Sequence, residues 1–212
     1  DISDTIVYNE VCFSHEHDHS EDEVEELLVC DENSLSEDPH FWLDPVRMLQ
    51  AAEVVKDELI LEFPENESVF IDNYEFLKLK LERLDADYQV MADEATKPII
   101  TTVMLFTYWH VRYDIEILPI TTSLHSTESS ASDIIYFAEE AALHEVHFVL
   151  FEKNTNSPSG DGVLDELLKL DETASAAYIH GLGNLTTEEL ETELTYLAIM
   201  YENLEILKLA TK

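Results

Sequence analysis

Glycine is scarce in this chain: four among 212 residues, where ordinary usage near 7% would give roughly fifteen. Turns that need a left-handed backbone must therefore be made by other residues, of which Asp and Asn bear it best. Cysteine is nearly absent as well. Cys12 and Cys30 do not form a C-x-x-C pair, so redox catalysis has no support. They are either one disulfide, worth about 3 kcal/mol on chain-entropy grounds, or two thiols, and the sequence leaves both open. No run of about eighteen apolar residues occurs, which excludes a membrane-spanning helix, and residue 1 opens no signal-peptide pattern. Positive charge is the third shortage. Eleven Lys and Arg face 47 Asp and Glu, for a net charge of −36, which excludes nucleic acid and anionic membranes as partners because both are held by basic patches. Nor is there a nucleophile elbow, a P-loop or a dinucleotide fingerprint. The most glycine-rich stretch, Ser157-Pro158-Ser159-Gly160-Asp161-Gly162, lacks the lysine and spacing of a phosphate loop and reads as a turn. No constellation of side chains speaks for an enzyme.

What is present is 45% hydrophobic residues, enough for one sizeable core or two small lobes. The acids are spread along the whole chain, as a solvated surface suited to salt or as an attractor of cations. Residues 6–13 are a short β-rich run. The tract Ser14-His15-Glu16-His17-Asp18-His19-Ser20 follows, then acidic sequence to Glu37. Three alternating imidazoles of this kind bind zinc or nickel loosely, or belong to an acidic loop in which they do nothing. From 46 to 61 apolar residues recur at helical spacing, and Pro64 breaks the pattern. A longer helix is expected over 65–95, with Phe70, Tyr74, Leu77, Leu81, Leu84 and Tyr88 on one stripe. Beyond it strands (98–102, 116–120, 146–151, 176–179) alternate with helices (103–113, 131–143, 161–170, 187–209), the pattern of a parallel sheet covered by helices. Ser129 or Ser130 would cap the helix at 131, and Thr186 with Glu189 fits a capping box ahead of the last helix.

The chemistry centres on Asp38-Pro39-His40-Phe41-Trp42-Leu43-Asp44-Pro45. Two prolines restrict the backbone around His40, and Asp44-Pro45 reads as an N-cap followed by proline at the first helical position. An imidazole presented in this way can be a metal ligand, or a structural residue beside a tryptophan. His125 and His180 each follow an expected strand, and Glu152 ends one. All three should therefore lie at the carboxyl edge of the sheet, where open α/β folds bind ligands. His144 and His147 form an H-x-x-H pair at a helix-to-strand boundary, which as a rule is simply exposed.

The motifs in order resemble the zinc and manganese solute-binding lipoproteins of ABC transporters. DPHFWLDP followed by VRMLQAAEVVKDEL matches the segment that opens the interlobe region of that family. Asn73 and Leu84-Asp85-Ala86-Asp87-Tyr88 fall on its N…L-D-x-x-Y. KPIITTVMLFTYWHVRYDIEILPI is similar to I-T-x-H-x-A-F-G-Y…Y-G-I…P-I, FVLFEKNTNS to F-x-F-x-E-x-N-x-S, HGLGNLT to D/N-P-L-E-G-L-T, and LTYLAIMYENLEILKLA to the closing helix. The resemblance covers essentially everything from residue 38 onward. It implies that His40 is a metal ligand, and that the chain captures a divalent cation, Zn2+ or alternatively Mn2+, for a membrane permease outside the cytoplasm. It also implies that the His- and acid-rich loop before DPHFW belongs to the zinc branch, and that the long helix is a rigid backbone between two lobes.

The departures are specific. Val103 stands where the family has its second-lobe His, Gly183 stands at the acidic position of P-L-E-G, and His180 stands where many members have an acidic ligand. Thr107, Asp114 and Asn184 replace glycines. The expected architecture is α/β: a remnant of an N-terminal lobe (1–45), a helical segment with the interlobe helix (46–96), and a (β/α)4 C-terminal lobe (97–212). The expected metal ligands are His40 first, then His180, His15, His17, His19, His125 and Glu152. The rival expectation is a scaffold of the same fold that has lost tight metal binding.

Overall fold

The computed structural model of the chain describes residues 10–12, 35–121, 129–192 and 194–212. Two short strands, β1 (Glu10–Cys12) and β2 (Leu35–Glu37), pair antiparallel, with Glu10 opposite Glu37. The histidine tract and Cys30 lie outside the described residues.

After a single 3-10 turn, Phe41–Leu43, helix α1 (Pro45–Glu62) begins as the sequence prescribes. Asp44 is the N-cap, its carboxylate accepting from the Val46 and Arg47 amides, with Pro45 at the first helical position. Pro64 ends this pattern and opens the 3-10 turn Pro64–Asn66. The long helix α2 (Glu67–Asp93) then runs back antiparallel to α1. Leu81, Leu84 and Tyr88 of the expected stripe are fully buried, and Phe70, Tyr74 and Leu77 are half-buried toward the far end of the hairpin. That far end keeps Leu61, Phe63, Val69 and Phe76 exposed.

The remainder is a three-layer α/β/α unit. Four parallel strands stand in the order β4-β3-β5-β6: β3 (Ile99–Thr101), β4 (Ile117–Pro119), β5 (Phe148–Glu152) and β6 (Ser175–Ile179). Alternation along the strands divides the core. Ile99, Leu150 and Ile179 face a cluster shared with α2, α3 (Thr107–Tyr113) and α7 (Tyr196–Ala210), while Ile100, Val149 and Phe151 face α4 (Ala131–Leu143) and α5 (Pro158–Leu170). β3 and β5, covered on both faces and flanked on both sides, are the near-continuous apolar runs expected of buried parallel strands. The chain leaves β3 toward β4 on one side and leaves β5 toward β6 on the other. The direction of winding therefore reverses between the carboxyl ends of β3 and β5, which is where open α/β sheets take their ligands.

Three sequence expectations are corrected. The stretch from Ser157 is not a turn but the start of α5: the Ser157 hydroxyl accepts from the Gly160 amide at 3.2 Å, with Pro158 at the first position. Gly160 serves packing rather than turning, since a Cβ there would lie 2.4 Å from Thr102 Cγ2. Helix 103–113 begins only at Thr107, and ahead of it the carbonyl of Val103 accepts the Thr101 hydroxyl at 3.0 Å. The closing helix is two: α6 (Thr187–Glu191), with the expected Thr186–Glu189 capping box, and α7, newly capped by Thr195. Of the substituted glycine positions, Asp114 does take left-handed backbone, φ 56°, as the cap of α3. Thr107 and Asn184 do not, and among the described residues the other positive φ values fall on Glu145, Asn154 and Leu182.

Candidate functional site

His40 is positioned by a segment that is fastened to the α/β unit along its whole length. The Tyr108 hydroxyl donates to the Asp38 carbonyl (2.7 Å) and the Trp42 indole N–H to the Gly181 carbonyl (2.9 Å). The Tyr196 hydroxyl donates to the Trp42 carbonyl (2.8 Å) and the Trp109 indole N–H to the Leu43 carbonyl (3.1 Å). Each donor is a rigid aromatic with a polar tip, so direction is set at small entropic cost. Burial pushes the Tyr196 phenol up, with the negative charge of Asp44 adding to the effect, so it stays a neutral donor. Below the segment, the fully buried Asp44 also accepts from Arg47. Arg112 lies 3.6 Å from Asp44 and forks onto Asp85 at 2.6 and 2.7 Å. These ion pairs lock the first turn of α1 and the last turn of α3 against α2.

Asp38, 2% exposed, is the immediate partner of the imidazole. Its Oδ1 accepts both the His40 backbone N–H (2.9 Å) and Nδ1–H (2.6 Å), while Oδ2 accepts the Thr107 hydroxyl. A carboxylate is acceptor-only, so the His40 proton resides on Nδ1. The Nε2 lone pair is left for a cation at the 18%-exposed rim of the segment. The ring stands edge-on to Trp42, centroids 5.4 Å apart.

His180 is arranged the opposite way. Its backbone is clamped by Asn203, which accepts from the His180 N–H at 2.7 Å and donates to the His180 carbonyl at 2.9 Å. Its Nδ1 accepts the Leu182 N–H at 2.9 Å. A ring whose Nδ1 accepts must carry its proton on Nε2. That Nε2 is buried without a hydrogen-bond partner, 3.7 Å from Glu189 Oε2. Glu189 is itself a hub, taking the Thr186 amide (2.9 Å), Lys153 Nζ (2.9 Å) and Asn154 Nδ2 (2.8 Å). The Thr186 amide, then Lys153, hold its carboxyl down at about 2.

Glu152, at the carboxyl end of β5, is also buried, and both its oxygens accept from neutral donors: Thr155 Oγ1 at 2.9 Å and Asn184 Nδ2 at 3.3 Å. Gly181 passes so close that a Cβ there would meet Glu152 Oε1 at 2.7 Å. Val103, Leu105 and Leu182 belong to one apolar cluster with Trp42, so carbon occupies the place where the resemblance puts a second imidazole. A side chain at Gly183 would meet nothing within 4 Å. His144 and His147 take separate carboxylates at the opposite edge of the sheet, Glu140 at 3.6 Å and Asp171 at 2.5 Å. His15, His17, His19 and His125 lie outside the described residues. Among the described residues no three His, Cys, Asp or Glu side chains gather to hold a metal. Motif reading singled out His40 but missed the roles of Asp38, Thr107 and Glu189; the D-x-H spacing was the available signal for the first.

Comparison with known proteins gives a consistent result. The family model described as "Zinc-uptake complex component A periplasmic" matches residues 1–210. The zinc-binding protein AdcA of Streptococcus pyogenes is 28% identical over 203 residues, covering 92% of this chain and 38% of that protein. The high-affinity zinc uptake system protein ZnuA of Bacillus subtilis is 29% identical over 172 residues, 81% of this chain and 52% of that one. The Zn(II)-bound ZnuA-like domain of Streptococcus pneumoniae AdcA superposes with a TM-score of 0.67 at 26% identity, over 88% of this chain and 68% of that structure. The chain thus spans about half the length, or less, of these two sequence relatives.

Proposed function

The chain belongs to the zinc-uptake complex component A family, and from that premise we propose that it is the solute-binding component of a zinc ABC transporter, capturing the cation outside the cytoplasm for a membrane permease. The observation that carries this reading is His40: a half-buried imidazole, tautomer set by a buried carboxylate, with its other nitrogen open. Neutral imidazole is a preferred ligand of zinc, and zinc is the cargo that the relatives' names give. Among the described residues no helix is long and apolar enough to cross a membrane.

Glu152 supports the same reading. A buried carboxylate met only by neutral donors favours a cation in its vicinity. The cargo would be held by His40 with oxygen ligands rather than in a closed tetrahedral cage, because Val103 and Gly183 supply no donor side chain and the Nε2 of His180 carries a proton. Those same features favour the second reading, a scaffold of the family fold without tight metal binding.

Zinc titration by calorimetry at moderate salt separates the two. Capture predicts one equivalent bound, lost in His40→Ala. Weak heat from several equivalents, unchanged by the substitution, would show that the acidic surface alone collects the ion.

A further inference from the structure

The imidazoles of His40 and His180 differ in what their Nδ1 atoms meet, and that difference assigns them separate tasks. At His40 the partner is the acceptor-only Asp38, itself fixed from three directions: the Thr107 hydroxyl on Oδ2, the Tyr108 hydroxyl on its carbonyl at 2.7 Å, and the His40 amide on Oδ1 at 2.9 Å. At His180 the partner is a donor, the Leu182 amide. A neutral imidazole has one bare nitrogen. His40 therefore offers its bare Nε2 outward, while His180 spends its bare nitrogen on the chain and turns an N–H toward Glu189.

We propose that Asp38 is the positioning residue of the cation site: its carboxylate, held by Thr107 and Tyr108, keeps His40 in the Nδ1–H form, aims Nε2 outward and strengthens it as a ligand, while His180, its Nδ1 committed to the Leu182 amide and its Nε2 protonated, is not a ligand. Carboxylates placed behind metal-binding histidines act in this way, and their removal weakens metal binding about ten- to a hundredfold. Thr107, the first residue of α3, gives the loop after β3 a part in the site that does not depend on a ligand at position 103. That loop acts on His40 through Asp38. The inference rests on the zinc-capture reading for its ligand, but its first readout needs no metal.

The experiment is long-range proton–nitrogen correlation of the histidine rings in the metal-free protein at about pH 8, where ordinary imidazoles are neutral, followed by zinc titration. The metal-free spectrum should show His40 with a protonated Nδ1 and bare Nε2, and His180 with the reverse. Asp38→Ala should move His40 toward the Nε2–H form and leave His180 unchanged. Asp38→Asn, which keeps an acceptor but removes the charge, should weaken zinc binding about ten- to a hundredfold. His40 found as the Nε2–H form in the parent overturns the proposal even if both variants fail to fold. So does a folded Asp38→Asn that binds zinc within about twofold of a parent whose binding depends on His40. A parent with the expected tautomers but no His40-dependent zinc binding would instead sink the capture reading, and with it the ligand role assigned to His40, while leaving the Asp38 contact established.

Discussion

Gly181 joins three parts of the site: its carbonyl holds the Trp42 indole, and its missing side chain lets Glu152 and Leu105 close in. A methyl there would sit 2.7 Å from a Glu152 oxygen and 3.1 Å from a Leu105 methyl. Gly181→Ala is therefore expected to lower stability by about 1–3 kcal/mol, the usual cost of overpacking, in urea unfolding, and to shift Trp42 fluorescence as its hydrogen bond moves. Asp114 presents the converse case. It caps α3 in left-handed backbone, φ 56°, where glycine is the ordinary choice. Asp114→Gly should gain about 0.5–1 kcal/mol in the same assay. The presentation of His40 was legible because prolines and an N-cap leave a signature along the sequence. The commitment of His180 was not, because it rests on a main-chain amide two positions on, a contact that any residue at 182 can supply and that leaves no mark in the sequence. The clamp on Asp38 was equally hidden, since Thr107 and Tyr108 reach it from about seventy positions away.

Helix ends are where this chain's elements are most explicitly written. Ser130 and Asp133 form a reciprocal capping box at α4, and Ser130→Ala should cost about 1 kcal/mol of stability. The equivalent box at α6 is tied into the site, because Glu189 caps the helix and also holds Lys153 and Asn154. Its carboxyl is lowered on folding from 4.5 to about 2, so ionised Glu189 favours the folded state. That contribution is fully present above the unfolded value and is lost as pH falls through the folded one. Parent and Glu189→Gln should accordingly differ in stability by a constant amount near neutrality and converge as pH drops from about 4.5 to about 2. A constant gap across that range would mean that the hub is not formed. Existence and type of the long elements were legible from periodicity and caps. The errors fell where tertiary packing decided: Pro158 and two glycines read as a turn, but Gly160 is what allows α5 to lie on Thr102. The break between α6 and α7 was equally invisible, since 187–209 carries helical spacing throughout.

At the scale of the molecule, 47 acids against 11 bases create a field that repels itself and attracts cations. Three of the eleven basic residues are spent on ties to buried or capping carboxylates, Arg47 and Arg112 at Asp44 and Lys153 at Glu189. Raising sodium chloride from about 0.05 to 1 M shortens the screening length from above ten ångströms to about three, so the urea midpoint should rise over that range. A flat or falling midpoint would show that the acids are already compensated. The same field makes weak zinc collection by the surface inevitable, so stoichiometry alone does not identify the site. The most direct test is zinc K-edge X-ray absorption of the protein loaded with one equivalent. The account predicts a nitrogen–oxygen first shell with the outer-shell scattering of a single imidazole, replaced by an all-oxygen shell in His40→Ala. Imidazole scattering that survives the substitution would place the metal elsewhere on the chain and contradict the assignment of His40 as the residue that receives the cargo.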